Sequence, residues 1–348
     1  MTSDDGVVAS DSMHGHRTAR LLLVGLILAL AATACSDGET GPLTIYSGRS
    51  EDLVGPLLDR FETETGIDVE VRYASSTDLT ATLREEGANS PADVFFAQDP
   101  ASLGAVAEAG LLTTLPADLL ALVPARFSDD DGRWIGVSAR VRVVVYDATR
   151  LAPADLPESV DGFIDPAWRG RLGIAPSNAS FLAFVAAMIL ERGEAATRDW
   201  LDGLAANDPQ IFPNNSSIVA AVDEGTVEVG LVNHYYLLQL QAEVGETNAA
   251  NHFLATAGPG SLVMPAGAGI LTTTDQPEHA ERFVEFLLGT EAQEFFVAGT
   301  HEYPVVDGVS ADPGLPALTT LPSPDIDLSE LAGALDLATD LVAEAGLL

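Results

Sequence analysis

The sequence contains no lysine. All 16 basic residues are arginines, against 52 acidic ones, giving a formal net charge of −36 over 348 residues. Such a field repels nucleic acid and anionic lipid headgroups and gathers cations loosely, so nucleic acid is excluded as a partner. An acidic, lysine-free surface also suits a salty medium, and most of the charge is read as solvated surface rather than as a metal site. Cysteine is almost absent too: Cys35 is the only one, so no intrachain disulfide can form. The six histidines, at 14, 16, 234, 252, 279 and 301, show no metal-ligand spacing. His234 is expected to point away from its neighbour Tyr235. No G-x-S-x-G, phosphate loop or H-E-x-x-H occurs, which leaves enzymatic chemistry unsupported. "SDDDG" at 128–132 is read as a solvated turn rather than a Ca2+ loop.

Long apolar runs are rare, and one has a purpose. From Met13, which can serve as the start, "MHGHRTARLLLVGLILALAATACSDGE" places Arg17 and Arg20 before an apolar stretch and then small residues ending at Cys35. This is a secretory signal. The end "AATAC" resembles a bacterial lipobox, so Cys35 is the expected lipidation site, and the protein is expected outside the cytoplasm, periplasmic or held at the outer face of the membrane by its lipid alone. "SDGETGP" follows as a short tether.

The remaining chain alternates strand and helix. "LTIYSG" reads as a buried strand, and Leu53, Val54, Leu57, Leu58 and Phe61 recur at helical spacing behind it, with Ser50 as cap and Gly66 as terminator. Pro56 is tolerable in that helix only near the first turn or as a kink. "IDVEVRYA", "TDLTATLREEG", "ADVFFA" and "PASLGAVAEAGLL" continue the alternation, which implies a parallel sheet with helices on its faces. "RVRVVVYD" and "GSLVMPAGAGIL" are extended and apolar, and a second alternation lies between them. The expectation is an α/β, bilobal, periplasmic-binding-protein-like fold, with two crossing hinge strands joining the lobes. Its division is residues 1–35 as signal peptide, 36–42 as tether, 43–140 with 268–315 as the first lobe, and 141–267 with 316–348 as the second.

Ligands of open α/β sheets bind beyond the carboxyl ends of strands. "SGRS", "AQDP", "PSNAS" and "NHYY" each follow a strand, so four polar loops converge on one cleft. Tyr235 and Tyr236 can both face one point only at a strand end or turn. Taken alone they better fit a core pair, Tyr235 facing inward and Tyr236 capping it.

These segments, with "DGRWIGVSARVRVVVYD", "NNSSIVAAVDEG" and "AERFVEFLLGTEAQEFFV", keep the order of the ferric-iron-binding substrate receptors of bacterial ABC importers, which the chain resembles over nearly all of its mature length. The resemblance implies a monomeric receptor that holds Fe3+ through Tyr235 and Tyr236 with a synergistic anion, carbonate or phosphate, and delivers it to a permease. The chain departs from that family at three places. Ser50 stands where many relatives carry a metal-binding His, Gln98 beside Asp99 where some carry Glu, and Ala179 where one branch has a third tyrosine. Ser50, Gln98 and Asp99 are therefore secondary metal candidates.

For the anion, Arg140 is the main cation, because a guanidinium engages oxyanions bidentately. Asn178 and Ser180, at the start of the following helix, form a cradle, although Asn178 equally suits a plain helix cap. Arg49, Asn215 and Asn233 are further candidates. A flytrap for a small anion or organic solute is the alternative function, motivated by the missing His and Glu.

Overall fold

The computed structural model describes residues 41–348, so the signal, Cys35 and most of the tether lie outside the described residues. The chain runs β1 (Leu43–Ser47), α1 (Glu51–Thr65), β2 (Val69–Tyr73), α2 (Ser76–Glu86), β3 (Val94–Ala97), α3 (Pro100–Glu108), α4 (Ala117–Leu120) and β4 (Ile135–Asp147). It continues with β5 (Leu172–Ile174), α5 (Ala179–Ala206), β6 (Gln210–Ile211), α6 (Asn215–Asp223), β7 (Val229–Asn233), α7 (Tyr235–Val244), β8 (Ala249–His252) and β9 (Val263–Ile270). Last come α8 (Pro277–Leu288), α9 (Thr290–Phe295) and α10 (Leu331–Glu344).

The nine strands lie in the order β2-β1-β3-β9-β4-β7-β5-β6, with β8 also paired to β4. The expected parallel sheet is present only in part. β1 pairs in parallel with β2 and β3, and β5 with β6 and β7, whereas β4 and β9 run antiparallel to their neighbours. The reason is that β4 and β9 travel between the two halves instead of returning through a helix. β4 pairs with β9 through Ile135–Val141 and with β7 through Arg142–Tyr146, so one 13-residue strand serves both halves.

Each half buries its own core. On one side Phe61 of α1 meets Phe283 of α8 edge to face at 5.1 Å, over Ile45 and Phe96. On the other, Phe184 and Trp200 of α5 meet at 5.5 Å, and Leu331, Ala334 and Ala338 of α10 join the same core. The apolar periodicity of α1 is realised, and Gly66 ends it at φ 72°, a left-handed conformation that favours glycine. Ser50 sits at the N-cap but makes no side-chain cap bond. Pro56 lies beyond the first turn without breaking the helix. It and Asp52, whose carbonyl would have bonded a residue 56 N–H, are both exposed, so water can satisfy that carbonyl. Gly193, at φ 84° and ψ 166°, interrupts α5 where the sequence separates two helical stretches. Among the described residues no helix is long and apolar enough to cross a membrane.

Candidate functional site

The strand ends bring the polar loops together as expected. β7 stops at Asn233, His234 takes helical φ and ψ, and Tyr235 and Tyr236 become the first two residues of α7. Successive residues on a helix diverge by about 100°. Here the rings lean together instead, with centroids 4.2 Å apart and planes 31° apart. The pair borders two cavities at once, one of about 380 Å3 and one of about 590 Å3. Tyr235 is buried and Tyr236 half-buried. Burial, and then the neighbouring Tyr236 phenol, push the Tyr235 pKa well above its ordinary value, while Arg140 pulls the other way.

The smaller cavity collects the expected anion groups Arg140, Asn178, Ser180 and Asn233, together with Gln98 and Asp99. Arg140 is buried, and its Nη1 has no hydrogen-bond partner among the described residues. Asn233 is 1 % exposed, and its Oδ1 is also without a partner among those residues. Buried polar atoms are normally satisfied, so a donor and an acceptor left open on one cavity wall mark a place for a ligand. Asn178 does cap α5: its Oδ1 accepts from the Ser180 N–H at 3.0 Å and from Ser180 Oγ at 2.7 Å. Asn215 does not border the cavity; its Nδ2 donates to Asn178 Oδ1 and Ser180 Oγ, fixing both from behind.

The secondary candidates divide. Asp99 borders the cavity but caps α3, with Oδ1 accepting from the Ser102 N–H at 2.8 Å and Oδ2 from Ser102 Oγ at 3.1 Å. Gln98 is exposed and borders both cavities, and Ser50 borders the larger one. Arg49 also borders the larger cavity, yet its guanidinium is engaged: Nη1 and Nη2 donate to the two oxygens of Glu302 at 3.1 and 2.8 Å. Glu302 further accepts from Ser138 Oγ at 2.9 Å and Thr300 Oγ1 at 3.1 Å. Burial alone would raise its pKa. Arg49, Arg140 and the Ser138 hydroxyl outweigh burial and hold the carboxyl below its usual range. Arg49 therefore carries less net charge to the cleft than the sequence suggests.

Arg142 escaped the sequence reading. It stands two residues after Arg140 on β4, so both project from the same face, and that alternation within "RVRVVV" was the available signal. Fully buried, it donates from Nη1 to Ser180 Oγ at 3.2 Å and from Nη2 to the Leu231 carbonyl at 3.2 Å, with its guanidinium carbon 5.2 Å from the Phe184 ring centre. Burial brings its pKa down to about 10, against the opposing pull of the Tyr236 and Tyr235 phenols. Glu302 had no local signal, since its partner Arg49 lies 253 residues away. Leu335, Asp336 and Thr339 of α10, which complete the smaller cavity, gave none either. Tyr73, at the end of β2, borders the larger cavity, and burial followed by the Glu51 and Asp59 carboxylates holds its phenol proton more tightly.

His234 does not turn away from Tyr235; the rings meet edge to face at 5.9 Å. Its nitrogens are taken by backbone, Nδ1 accepting from the Val141 N–H at 3.2 Å and Nε2 donating to the His301 carbonyl at 2.9 Å. Burial lowers its pKa from 6.5 to about 4. The unfolded chain thus binds a proton between those values and the folded protein does not. Stability is full above about pH 6.5 and falls by about 3 kcal/mol as pH drops toward 4. Urea unfolding at pH 7 and pH 4.5 should show this loss, and His234→Gln should flatten the dependence. A wild-type stability independent of pH across that window would mean that the imidazole is not held neutral.

Residues 89–329 match the family of bacterial extracellular solute-binding proteins. The chain is 34 % identical to the Fe(3+)-binding periplasmic protein of Serratia marcescens over 94 % of its own length and 96 % of that protein. Its fold superposes on iron-bound HitA from Pseudomonas aeruginosa with a TM-score of 0.81 at 36 % identity, covering 88 % of this chain and 99 % of the other. It also superposes on the Trichodesmium protein IdiA (FutA) in complex with iron and citrate, with a TM-score of 0.79 at 28 % identity, covering 88 % and 100 %. With its bilobal α/β architecture and its polar cleft at the strand ends, the chain belongs to the bacterial extracellular solute-binding proteins, beside their ferric-iron-binding receptors.

Proposed function

We propose that this protein captures Fe3+ in the cleft and delivers it to the permease of an ABC importer outside the cytoplasm. The observation that carries the proposal is the stacked phenol pair, Tyr235 and Tyr236, beside a buried arginine with an open donor. Fe3+ is small, hard and highly charged, prefers anionic oxygen, and displaces phenol protons well below the free pKa of about 10. Two phenolates and a bidentate carbonate or phosphate fill four of roughly six octahedral positions. Arg140, Asn233, Ser180 and Asn178 would hold that anion, with Asn215 and Arg142 fixing Ser180 from behind. The iron-binding names of the Serratia and Pseudomonas relatives support the cargo.

Closure favoured by contacts to both lobes would mark the loaded receptor for its permease. The lobes are proposed as 43–140 with 268–315 and 141–267 with 316–348, a division supported by the separate cores around Phe61 and Phe184. Cys35, outside the described residues, would anchor the protein by lipid. A second reading, a receptor for a small anion or organic solute, draws on the smaller cavity, whose roughly 380 Å3 suits a small molecule. Among the described residues no group of three His, Cys, Asp or Glu side chains could hold a metal, which also leaves room for it. Native mass spectrometry of protein taken from cells tests both: iron plus one small anion is expected, and an organic mass without iron would overturn the iron reading in favour of the second.

A further inference from the structure

The reading of the cleft as an Fe3+ site leaves open what the first lobe gives the metal. Tyr235 and Tyr236 come from one strand end of the second. Facing them, the Ser50 hydroxyl and Gln98 amide are neutral donors, and both Asp99 oxygens are engaged by Ser102. The wall of the larger cavity does hold another phenol. Tyr73 closes β2 in register with Ser47 of β1, so it stands at the carboxyl edge of the sheet, where ligands of such sheets bind. Its ring packs against the core that includes Phe61, and among the described residues its hydroxyl makes no hydrogen bond. Glu51, the first residue of α1, borders the same cavity and makes no side-chain hydrogen bond or ion pair among the described residues.

We propose that Tyr73 is the first lobe's iron ligand, its phenolate joining those of Tyr235 and Tyr236 when the cleft closes on the metal, with the Glu51 carboxylate flanking the shell. The phenol proton passes to solvent as the iron–oxygen bond forms. Charge supports this arrangement. Three phenolates neutralise Fe3+, a dianion is then balanced by Arg140 and Arg142, neither of which forms an ion pair with a carboxylate among the described residues, and the remaining charge of Glu51 is exposed to screening water. The neutral side chains at 50 and 98 also fit, because the anionic oxygen reaches the metal from Tyr73 instead.

The test compares purified wild type, Tyr73→Phe and Tyr73→His in phosphate buffer, titrated with ferric citrate. Each is read by the visible phenolate-to-iron band per bound iron and by competition with a chelator. Phenylalanine keeps the packed ring, so a matching melting temperature confirms the fold. Tyr73→Phe is expected to lose about a third of the absorbance per iron, one phenolate of three, and at least about tenfold in affinity, within the cost of removing a metal-site partner. Tyr73→His should regain affinity but not absorbance. An unchanged band and affinity in Tyr73→Phe would overturn the role of Tyr73 while leaving iron capture intact. A wild type that binds no iron would overturn both.

Discussion

Replacing Tyr235 or Tyr236 with phenylalanine should remove about a third of the iron-dependent absorbance per bound iron, one phenolate of three, and lower the iron affinity by on the order of a hundredfold or more. Loss of outer-shell partners alone costs about 10- to 100-fold in other metal sites, and here a ligand atom itself is removed. Each substitution deletes one oxygen and keeps the ring, so the stack at 4.2 Å persists and the fold should not suffer. Burial keeps the Tyr235 phenol protonated in the metal-free protein, and iron must displace that proton, so loading releases acid. Titration with ferric citrate, followed by absorbance and by proton release in weakly buffered solution, separates the effects. The variants should release fewer protons per iron than wild type. Wild-type protein that stays colourless at saturating iron would refute phenolate ligation by either residue.

Iron affinity should also fall at least about tenfold in buffer stripped of bicarbonate and phosphate, and return when either anion is added, because a bidentate oxyanion on a guanidinium supplies both charge and geometry. Fe3+ with the paired phenolates keeps one net positive charge. Arg140 and Arg142 stand close by, and Arg140 keeps a buried Nη1 without a partner among the described residues. A dianion reduces the repulsion among these charges and meets the open donor. Arg140→Ala should therefore blunt the recovery on adding anion far more than it lowers the melting temperature. Arg142→Ala is less clean, because it also strips a hydrogen bond from Ser180 Oγ. Affinity indifferent to every small anion would mean that protein side chains fill the shell, with Glu51 the first to examine.

Much of this was legible in the sequence. The periodicity of Leu53, Val54, Leu57, Leu58 and Phe61 required a helix with one buried face, and β1, β2 and β3 were visible as apolar or alternating runs between helices. Because ligands of such sheets collect at strand ends, the cleft residues Asn178, Ser180, Asn233, Tyr235 and Tyr236 followed from where the strands stop, and Arg140, in mid-strand, from the chemistry of its guanidinium. The family resemblance attached Fe3+ to two of them.

What the sequence could not rank was which polar groups remain open and which are already engaged. Asp99 and Asn178 have the composition of ligands, but local backbone geometry makes both of them helix caps. Arg49 has the charge for anion binding, and only the approach of the chain 253 residues later pairs it with Glu302. Tyr73 lies in a strand whose alternating pattern explains it fully, so nothing local distinguished it, whereas the two-residue spacing of Arg142 from Arg140 was a local signal that did not say what the second guanidinium touches. By itself the sequence determined the alternation of elements, the buried faces, the strand-end loops and the phenol pair, because these depend on residues within one or two elements of each other. The tertiary structure alone decided the antiparallel crossing of β4 and β9, the Arg49–Glu302 pair and the walls given by α10 and β2, because long-range packing brings those groups together.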